Sequence, residues 1–472
     1  QLQYVTIGGT KAGKVTHYQL HAIQDAGGFA DMGTILAPFM TRPMSSGVYA
    51  IPNIECRTTS VVTNTTPIVA YRGAGRPEAT AAIERAMDMF ALEIGKDAAE
   101  VRRMNLIPKF LEPHTTVVGQ TYDVGDYETA LDKALAAADY KALRAEQAKR
   151  RASGDAKQLG IGVSVYVEIT GGVGNGESAK VEVLEDGRAV VYTGTSPHGQ
   201  GHDTAWSMLV QEQTGIPMDR IELVWGDTDL VPVGTGTMGS RSLQQGGNAV
   251  FQVAGTLAEK AKSVAARLLE VSEADVVLDK ARGAFHVVGT PAVTKTWADL
   301  AVAEKSTGGL LHDEVINVSG ATFPFGAHVA VVEVDTETGR VKHLRQVACD
   351  DAGKVLNPML LDGQIHGGVA QGVAQALLEE VLYDADGNPT TSNLADYGFI
   401  SAAELPNVEV IHMETPTPVN AIGAKGIGES GTIGSTPAIQ SAVVDAVSHL
   451  GVKHIEMPCT AERVWRAIQA AQ

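Results

Sequence analysis

The sequence predicts a mixed α/β protein of the α+β class, in which sheet-plus-helix modules are used more than once. Strand-like and helix-like segments alternate along the 472 residues without the regular rhythm of βαβ units. Predicted hairpins at Gly13-Lys14, Gly187-Arg188 and Gly339-Arg340 share a turn that pairs glycine with a basic residue. Their spacing is too wide and uneven for a solenoid. The length is enough for roughly two to four domains with substantial cores.

Residues 1–157 are predicted to form part of a first domain. Pro77 suits the first turn of a helix, where its missing N–H costs nothing, and apolar residues follow at helical spacing from Ala82 to Ile94. The predicted elements are strands over residues 4–6, 15–23 and 56–63, a loop over 39–44, and helices over 78–94, 98–106 and 126–151.

A junction at Gln158–Leu159 is predicted to begin a second domain, residues 158–472. Asp186-Gly187 closes one of its hairpins. The predicted elements are strands over residues 160–169, 180–184, 189–193, 220–225, 329–334, 341–347 and 408–413, a glycine-rich turn over 171–176, and helices over 202–213, 249–270, 364–378 and 436–450.

Composition excludes several classes of function. A net charge of −18 with no basic stripe argues against a nucleic-acid surface. The sequence has no run of about 18 apolar residues, so no membrane-spanning helix is predicted. Cys56, Cys349 and Cys459 lie far apart, so no iron–sulfur cluster or structural zinc is expected within this chain, and a reducing cytoplasm suits them. The first residues lack the features of a signal peptide and resemble the middle of a strand. We therefore expect the chain to be a fragment or one polypeptide of a split subunit.

The loop Asn420–Gly434 is the strongest candidate for a functional site. Five glycines surround one acid, Glu429, and release the backbone into conformations with positive φ. A helix that follows such a loop points its amide-rich end at a ligand. A lone carboxylate in a closed site is a candidate general base, which makes Glu429 the predicted catalytic residue.

Further clusters join glycine to amide or hydroxyl residues between a strand and a helix. Each is also explained by a plain turn, but together they predict one large polar cofactor held by many segments. Gln200, Gln244, Gln245 and Ser240 would supply hydrogen bonds, and Arg72 the only fixed positive charge. With the Glu429 loop, the clusters are residues 70–76, 199–202 and 234–247.

Alternative interpretations of these residues remain open. Gly426, Gly428 and Gly431 satisfy the G-x-G-x-x-G spacing of a nicotinamide-dinucleotide fold, but no strand-like run precedes them. A structural turn that ends in a helix cap is the second alternative. His198 and His202 are separated by glycines and lack a nearby third ligand, so core or surface histidines are favoured over a metal site.

Six motifs in one order resemble the large, molybdopterin-binding subunit of the molybdenum hydroxylases, the family of xanthine oxidase, aldehyde oxidoreductase and aerobic carbon monoxide dehydrogenase. The resemblance covers almost the whole chain and is closest to the carbon monoxide dehydrogenase-like branch with the loop AYRGAGR. The motifs are AYRGAGRPEA at 70–79, GQGHDT at 199–204, GDTDLVPVGTGT at 226–237, GSRS at 239–242, GQIHGGVAQGVAQAL at 363–377 and GAKGIGESGTIGSTPAI at 423–439.

The resemblance implies roles for individual residues. Glu429 matches the family's active-site glutamate, Gln200 the glutamine of the pterin-binding turn, and Ser240 and Ser242 the hydroxyls near the cofactor phosphates. No side chain is expected to ligate the metal directly. The expected cofactor is molybdenum bound to molybdopterin cytosine dinucleotide, and the residues expected to bind it are Ala70, Arg72, Gly73, Gln200, Gly201, Gly239, Ser240, Ser242, Gln364, Gly426 and Gly428.

The sequence also departs from the family pattern. Copper-dependent carbon monoxide dehydrogenases have a cysteine where this chain has Gly73, and purine oxidases have a phenylalanine where it has Ala74. Copper-dependent oxidation of carbon monoxide and purine specificity are therefore not expected. The family's N-terminal region, which supplies another part of the pterin site, has no counterpart here.

The resemblance therefore implies the C-terminal part of an oxidoreductase subunit that hydroxylates an aldehyde or an N-heteroaromatic carbon with oxygen from water. Expected partners are a [2Fe–2S] subunit, an FAD-binding subunit and the N-terminal part of the large subunit, in a cytoplasmic dimer of heterotrimers. A carbon monoxide dehydrogenase-like activity and an inactive, cofactor-free fragment or scaffold are the alternatives.

Overall fold

The computed structural model describes residues 1–172, 176–318 and 320–471. Strands and helices alternate as predicted, which confirms the mixed α/β class; residues 173–175 of the turn predicted over 171–176 lie outside the described residues. The strands are β1 (Leu2–Gly9), β2 (Val15–Asp25), β3 (Asn53–Val61), β4 (His114–Thr115), β5 (Thr121–Tyr122), β6 (Lys157–Val167), β7 (Thr170–Gly171), β8 (Glu177–Val183), β9 (Ala189–Thr193), β10 (Ile221–Val224), β11 (Val276–Asp279), β12 (Ala284–Val287), β13 (Thr290–Thr296), β14 (Leu310–Ile316), β15 (Ala321–Thr322), β16 (Phe325–Asp335), β17 (Val341–Asp351) and β18 (Val408–Met413).

The α-helices differ mainly in length and burial, and short helical turns flank some of them. The α-helices are α1 (Met32–Ile35), α2 (Arg76–Glu93), α3 (Ala98–Asn105), α4 (Tyr127–Ala138), α5 (Tyr140–Ser153), α6 (His202–Thr214), α7 (Asn248–Leu269), α8 (Trp297–Glu304), α9 (Pro358–Leu377), α10 (Ser430–Val447) and α11 (Ala461–Ala471). The π-helical turns are Leu36–Thr41 and Ser242–Gly247, and the 3₁₀ turns are Arg42–Met44, Met218–Arg220, Glu273–Asp275, Lys305–Thr307 and Ser448–Leu450.

A sheet with the order β18-β17-β16-β6 carries the helix that begins at the site. The pairs β17/β16 and β16/β6 are antiparallel, and β17/β18 is parallel. Helix α10 packs closely on β6 because Gly160 and Gly162 have no side chains: a Cβ at either would lie 1.9 Å from a carbonyl oxygen of α10. The helix is buried on nearly all sides, as expected for a helix of small and apolar residues.

Helix α10 begins earlier than predicted. Its first residue is Ser430, whereas the apolar run in the sequence predicted a helix over residues 436–450. Pro437 lies inside the helix, and the hydroxyls of Ser435 and Thr436 bond back to the carbonyls of the preceding turn at 2.6 and 2.9 Å. The predicted loop therefore ends at Glu429, which caps the helix.

The first part of the chain forms a sheet in which β1 and β2 are antiparallel and β2 and β3 parallel. Two predictions here were wrong. The predicted loop over 39–44 is helical in the structure. The predicted helix over 126–151 breaks at Asp139, which adopts a left-handed φ of 51° that aspartate tolerates. Arg345 holds this break by donating to the last two carbonyls of α4 at 2.8 Å.

A second sheet, with the order β10-β9-β8-β14, packs against α6 and α7 around a separate hydrophobic cluster that includes Trp206 and Leu257. The predicted junction at residues 158–159 lies inside β6, and another cluster combines Tyr127 with Val163 and Phe325 from beyond it. None of the helices in the described part of the chain combines the length and apolar character that a bilayer crossing requires.

Candidate active site

The glycine-rich clusters converge on one cavity of about 1090 Å³. This is slightly larger than the usual ligand pocket, which is roughly 300–1,000 Å³. Its walls come from chain segments that lie far apart in sequence, so the fold and not any single motif creates the space. The segments contribute residues between 70 and 76, 198 and 206, 237 and 243, 352 and 367, and 425 and 429.

Glu429 stands in the wall of this cavity at the N-terminus of α10. Its Oε1 accepts a hydrogen bond from the backbone N–H of Gly73 at 2.9 Å. Its Oε2 accepts from the hydroxyl of Ser240 at 2.8 Å and from Nη2 of Arg76 at 3.2 Å. The side chain is 13% exposed, so the carboxylate is fixed in direction but still faces the cavity.

The loop before α2 needs glycine to present its backbone to Glu429. Gly73 has a φ of +103° and Gly75 a φ of +86°, both in the left-handed region. A Cβ on Gly73 would lie 2.4 Å from the ring of Pro77. The same proline is the second residue of α2, so the turn that exposes the Gly73 N–H and the first turn of the helix, which carries Arg76, are fixed together.

Ser240 is held in place by the absence of a side chain at Gly426. Ser240 has a φ of +52°, and a Cβ on Gly426 would lie 1.9 Å from its carbonyl oxygen. This close backbone contact joins the loop over 237–243 to the loop that leads into α10. It aims the Ser240 hydroxyl at Glu429.

A second carboxyl group, Glu168, lies behind Ser240 and was not singled out from the sequence. It follows β6 directly and is fully buried. Its oxygens accept from Ser240 at 3.2 Å and from Ser430 at 2.5 Å, and Arg76 lies 3.6 Å away. Burial, followed by the negative charge of Glu429, raises the pKa of Glu168 to about 8. An acid inside an otherwise apolar predicted strand was the signal in the sequence.

Arg72 is not the only fixed positive charge at the cavity, contrary to the prediction. Its guanidinium donates to the carbonyls of Gly428 at 2.5 Å and Gln364 at 3.1 Å, and to Gln371 at 3.1 Å. Arg72 thus joins its own loop to α9 and to the loop before Glu429. Arg76 also lines the cavity, and it is the cation that contacts Glu429.

Most residues predicted to bind a cofactor line the cavity, and two lie just behind its wall. Gly73 faces Glu429, and Gly201 is the N-cap of α6, where a Cβ would lie 2.6 Å from Leu360. The residues that line the cavity are Ala70, Arg72, Gln200, Gly239, Ser240, Ser242, Gln364, Gly426 and Gly428.

Two of the predicted hydrogen-bonding amides do not face the cavity. Gln244 is buried and accepts from the hydroxyl of Thr322, and Gln245 donates to the carbonyl of Val318 at 3.3 Å. Both lie in the π-helical turn before α7, whose geometry the sequence did not reveal. Gln200 does line the cavity, and its side-chain oxygen accepts from the backbone N–H of His198.

The walls fit a large polar group that contacts main chain. Gly199 and Gly239, which line the cavity, have positive φ, and a Cβ at either would meet no atom within 4 Å. Their backbone is therefore open to the space in front of it, as expected for loops that approach phosphates or a pterin ring. Ser242 places its hydroxyl 3.1 Å from that of Thr237 on the same wall.

Of the two histidines that line the cavity, His202 is buried and packs inside the fold, whereas His198 is exposed. His202 stacks on Trp206, with ring centroids 4.7 Å apart, and its Nδ1 lies 2.8 Å from the carbonyl of Thr195. Burial lowers the pKa of His202, which favours the neutral ring. Within residues 1–172, 176–318 and 320–471, no group of three His, Cys, Asp or Glu side chains is placed to hold a metal ion.

Comparison with known proteins gives family matches over most of the chain. Residues 133–406 and residues 1–106 each match a molybdopterin cofactor-binding domain. The carbon monoxide dehydrogenase large chain of Hydrogenophaga pseudoflava is 39% identical over 98% of this chain and 60% of its own length. The nicotine 6-hydroxylase large subunit of Paenarthrobacter nicotinovorans is 34% identical over 98% of this chain and 59% of its own.

Solved structures show the same fold. The Cu,Mo carbon monoxide dehydrogenase superposes with a TM-score of 0.92 at 35% identity, over 99% of this chain and 62% of that one. Quinoline 2-oxidoreductase from Pseudomonas putida 86 superposes with a TM-score of 0.91 at 31% identity, over 99% and 62%. The chain thus spans about 60% of the length of the curated relatives it matches.

Proposed function

Since this chain belongs to the large, molybdopterin-binding subunits of the molybdenum hydroxylases, we propose that it carries the general base of a hydroxylating oxidoreductase, Glu429. The observation that carries the proposal is the fixed direction of Glu429, which three donors hold at the wall of the cavity. A carboxylate so held can accept a proton from a group in the cavity without first losing a shell of water. The proposed reaction places oxygen from water on an aldehyde or N-heteroaromatic carbon.

We propose that the cavity binds molybdenum as molybdopterin cytosine dinucleotide. Bound there, the cofactor would supply the centre that takes up two electrons from the substrate. Open backbone at Gly199 and Gly239 and the side chain of Gln200 would face the pterin, and the hydroxyl of Ser242 would face its phosphates. Ser240, which the resemblance also assigns to the phosphates, directs its hydroxyl to Glu429 and would instead support the wall beside the base. Ala70, Arg72, Gly73, Gly201, Gln364, Gly426 and Gly428 would complete or support these walls. No side chain is assigned as a metal ligand.

The substrate class rests on the loop between Tyr71 and Gly75. Gly73 carries no thiol, and Pro77 occupies the space of a side chain there, so this loop offers no ligand for copper. Ala74, with a φ of 43°, places only a methyl group at the cavity. An N-heteroaromatic substrate is further supported by relatives that are named for hydroxylation of nicotine and oxidation of quinoline. An aldehyde remains the second member of the proposed substrate class.

The proposed enzyme needs partners. We propose that electrons pass to a [2Fe–2S] subunit and an FAD-binding subunit, and that a further N-terminal segment of the large subunit completes the pterin site. The proposed assembly is a cytoplasmic dimer of heterotrimers. Within this chain we keep residues 1–157 and 158–472 as the proposed cofactor-binding domains, which limited proteolysis followed by mass spectrometry would test.

The deciding experiment uses the chain co-expressed with these partners. We expect about one molybdenum per large subunit by elemental analysis, and turnover with at least one compound from a panel of aldehydes, N-heterocycles and carbon monoxide. Glu429→Gln should retain molybdenum and lose activity by about 100-fold or more. Glu55→Gln, at an exposed position, is the matched control and should be fully active. A complex without molybdenum would favour the scaffold, and turnover of carbon monoxide alone would favour a carbon monoxide dehydrogenase-like activity.

A further inference from the structure

Glu168 has no part in the function proposed above, yet it shares two partners with Glu429. The Ser240 hydroxyl lies 2.8 Å from Oε2 of Glu429 and 3.2 Å from Oε1 of Glu168. Nη2 of Arg76 lies 3.2 Å from Oε2 of Glu429 and 3.6 Å from Oε1 of Glu168. The two carboxyl groups therefore belong to one compact cluster with one hydroxyl and one guanidinium between them.

The proton count of this cluster is decisive. A serine hydroxyl has one proton to donate and can also accept, so Ser240 cannot satisfy two carboxylates at once. If one carboxyl group is protonated, its O–H can donate to Ser240 Oγ while the Ser240 O–H donates to the other carboxylate. This arrangement satisfies both contacts and places one negative charge beside Arg76.

The surroundings decide which of the two carries the proton. Glu168 has no exposed surface, whereas the Glu429 side chain is 13% exposed, receives the Gly73 N–H and lies closer to Arg76. Burial disfavours a negative charge on Glu168, and the nearby negative charge of Glu429 disfavours it further. Glu429 is thus the ionised member and Glu168 the neutral one.

We propose that Glu168 is a positioning residue, protonated at neutral pH, which donates through Ser240 toward Glu429 and so holds Glu429 ionised and oriented as the base. This inference rests on the proposed function of Glu429. It involves no transfer of the Glu168 proton, since the hydrogen bonds run in one direction from Glu168 to Ser240 to Glu429. When Glu168 loses its proton at alkaline pH, Ser240 is drawn to Glu168 as a donor and Glu429 loses one of its three hydrogen bonds.

The charges that face Glu168 agree with this assignment. Burial first, then the Glu429 charge, raise its pKa to about 8, while Arg76 and the hydrogen bonds from Ser430 and Ser240 oppose the rise. Arg72 is a further cation within electrostatic reach. Tyr166, on β6 before Glu168, is buried and bonds to Asp350 at 2.6 Å, and burial raises the pKa of its phenol, which stays neutral.

The test needs a readout other than turnover. Infrared spectra of the full chain in its complex should contain a protonated-carboxyl C=O band at pH 6.5 that disappears between about pH 7 and 9. The band should be absent in Glu168→Gln, and in Glu429→Gln it should disappear at lower pH than in the wild type, because the negative charge of Glu429 that raises the Glu168 pKa is gone. An absent band in the wild-type protein would overturn the proposal, and this result does not depend on whether any variant folds.

Turnover gives the second readout. The wild-type kcat/KM should fall on the alkaline side with an apparent pKa near 8. Glu168→Gln cannot ionise and can still donate to Ser240, so it should keep activity at pH 7 within about threefold and lose the alkaline decline. An alkaline decline unchanged in Glu168→Gln contradicts the proposal. If Glu429→Gln is fully active, the proposed function fails instead, and the infrared band still decides the state of Glu168.

Discussion

Nη2 of Arg76 donates to Oε2 of Glu429 across 3.2 Å, with the Arg76 side chain only 5% exposed. Arg76 is the first residue of α2, and Glu429 is the residue before α10. This contact therefore joins the start of α2 to the start of α10 at the cavity. A buried guanidinium and a buried carboxylate each lose the stabilisation of water, so each is stabilised by the opposite charge of the other. The contact therefore contributes to the stability of the fold as well as to the direction of Glu429.

Removing this guanidinium should be costly even without a cofactor. Arg76→Met leaves Glu168 and Glu429 without their shared cation, and loss of one partner from a buried ion pair costs about 3–5 kcal/mol. Chemical denaturation of the wild-type and variant chains measures the change. Arg57→Met, which removes an exposed pair with Glu55, is the control and should cost about 1 kcal/mol or less. Equal costs for the two variants would contradict the prediction.

Glu168 should make stability depend on pH in a direction unusual for a glutamate. Its pKa in the folded chain, about 8, lies above the ordinary value of 4.5, so the folded state binds the proton more tightly. The contribution is fully present below the ordinary value and is lost as pH rises toward 8, by about 5 kcal/mol at most. Glu168→Gln removes it.

The measurement is the free energy of unfolding of both proteins between pH 5 and 9. The difference between wild type and Glu168→Gln should move in favour of the variant as pH rises and become constant above about pH 8. A difference that stays constant over the whole range would show that Glu168 does not titrate there.

Local sequence patterns predicted most elements but not the places where tertiary contacts decide. The strand Val408–Met413 was predicted with its observed bounds, because apolar alternation is a local signal. The break at Asp139 and the start of α10 at Ser430 were missed. The break at Asp139 depends on the distant residue Arg345. The start of α10 is accompanied by close packing of Gly431 on α9, where a Cβ on Gly368 would lie 2.9 Å from the Cα of Gly431.

The candidate site shows the same division. Glu429 and the glycine-rich loops could be found in the sequence because their residue types are unusual and local. Glu168 and Arg76 could not be placed, since their importance comes from contacts between distant residues: Glu168 contacts Ser240, 72 positions away, and Arg76 contacts Glu429, 353 positions away. The contacts of Arg72 with α9 join residues 292 and 299 positions apart, so the sequence did not reveal them. Arg72 was therefore predicted to bind a ligand and not to join segments of the chain.

A methyl group at Gly426 should disturb the site through Ser240. The added Cβ would lie 1.9 Å from the Ser240 carbonyl oxygen and 2.8 Å from its Cβ, so the backbone of one loop must move. We expect Gly426→Ala to cost about 1–3 kcal/mol and to lower turnover in the complex at least tenfold. Gly363→Ala, within α9 and with no atom within 4 Å of the new Cβ, should stabilise the isolated chain by about 0.5–1 kcal/mol. A Gly426→Ala variant as stable and active as wild type would show that the two loops are not held in contact.

Lys425 should anchor the loop before Glu429 through a buried ion pair. Its Nζ lies 3.3 Å from Oδ1 of Asp351 and 4.7 Å from the centre of the Phe325 ring, and neither charged side chain is exposed. Lys425→Met leaves Asp351 as an uncompensated buried charge, so we expect a loss of about 3–5 kcal/mol in chemical denaturation. Lys425→Met combined with Asp351→Asn should recover part of that loss, because the double variant buries no charge at this position. If the losses of stability in Lys425→Met and Asp351→Asn simply add in the double variant, the two side chains do not act as a pair.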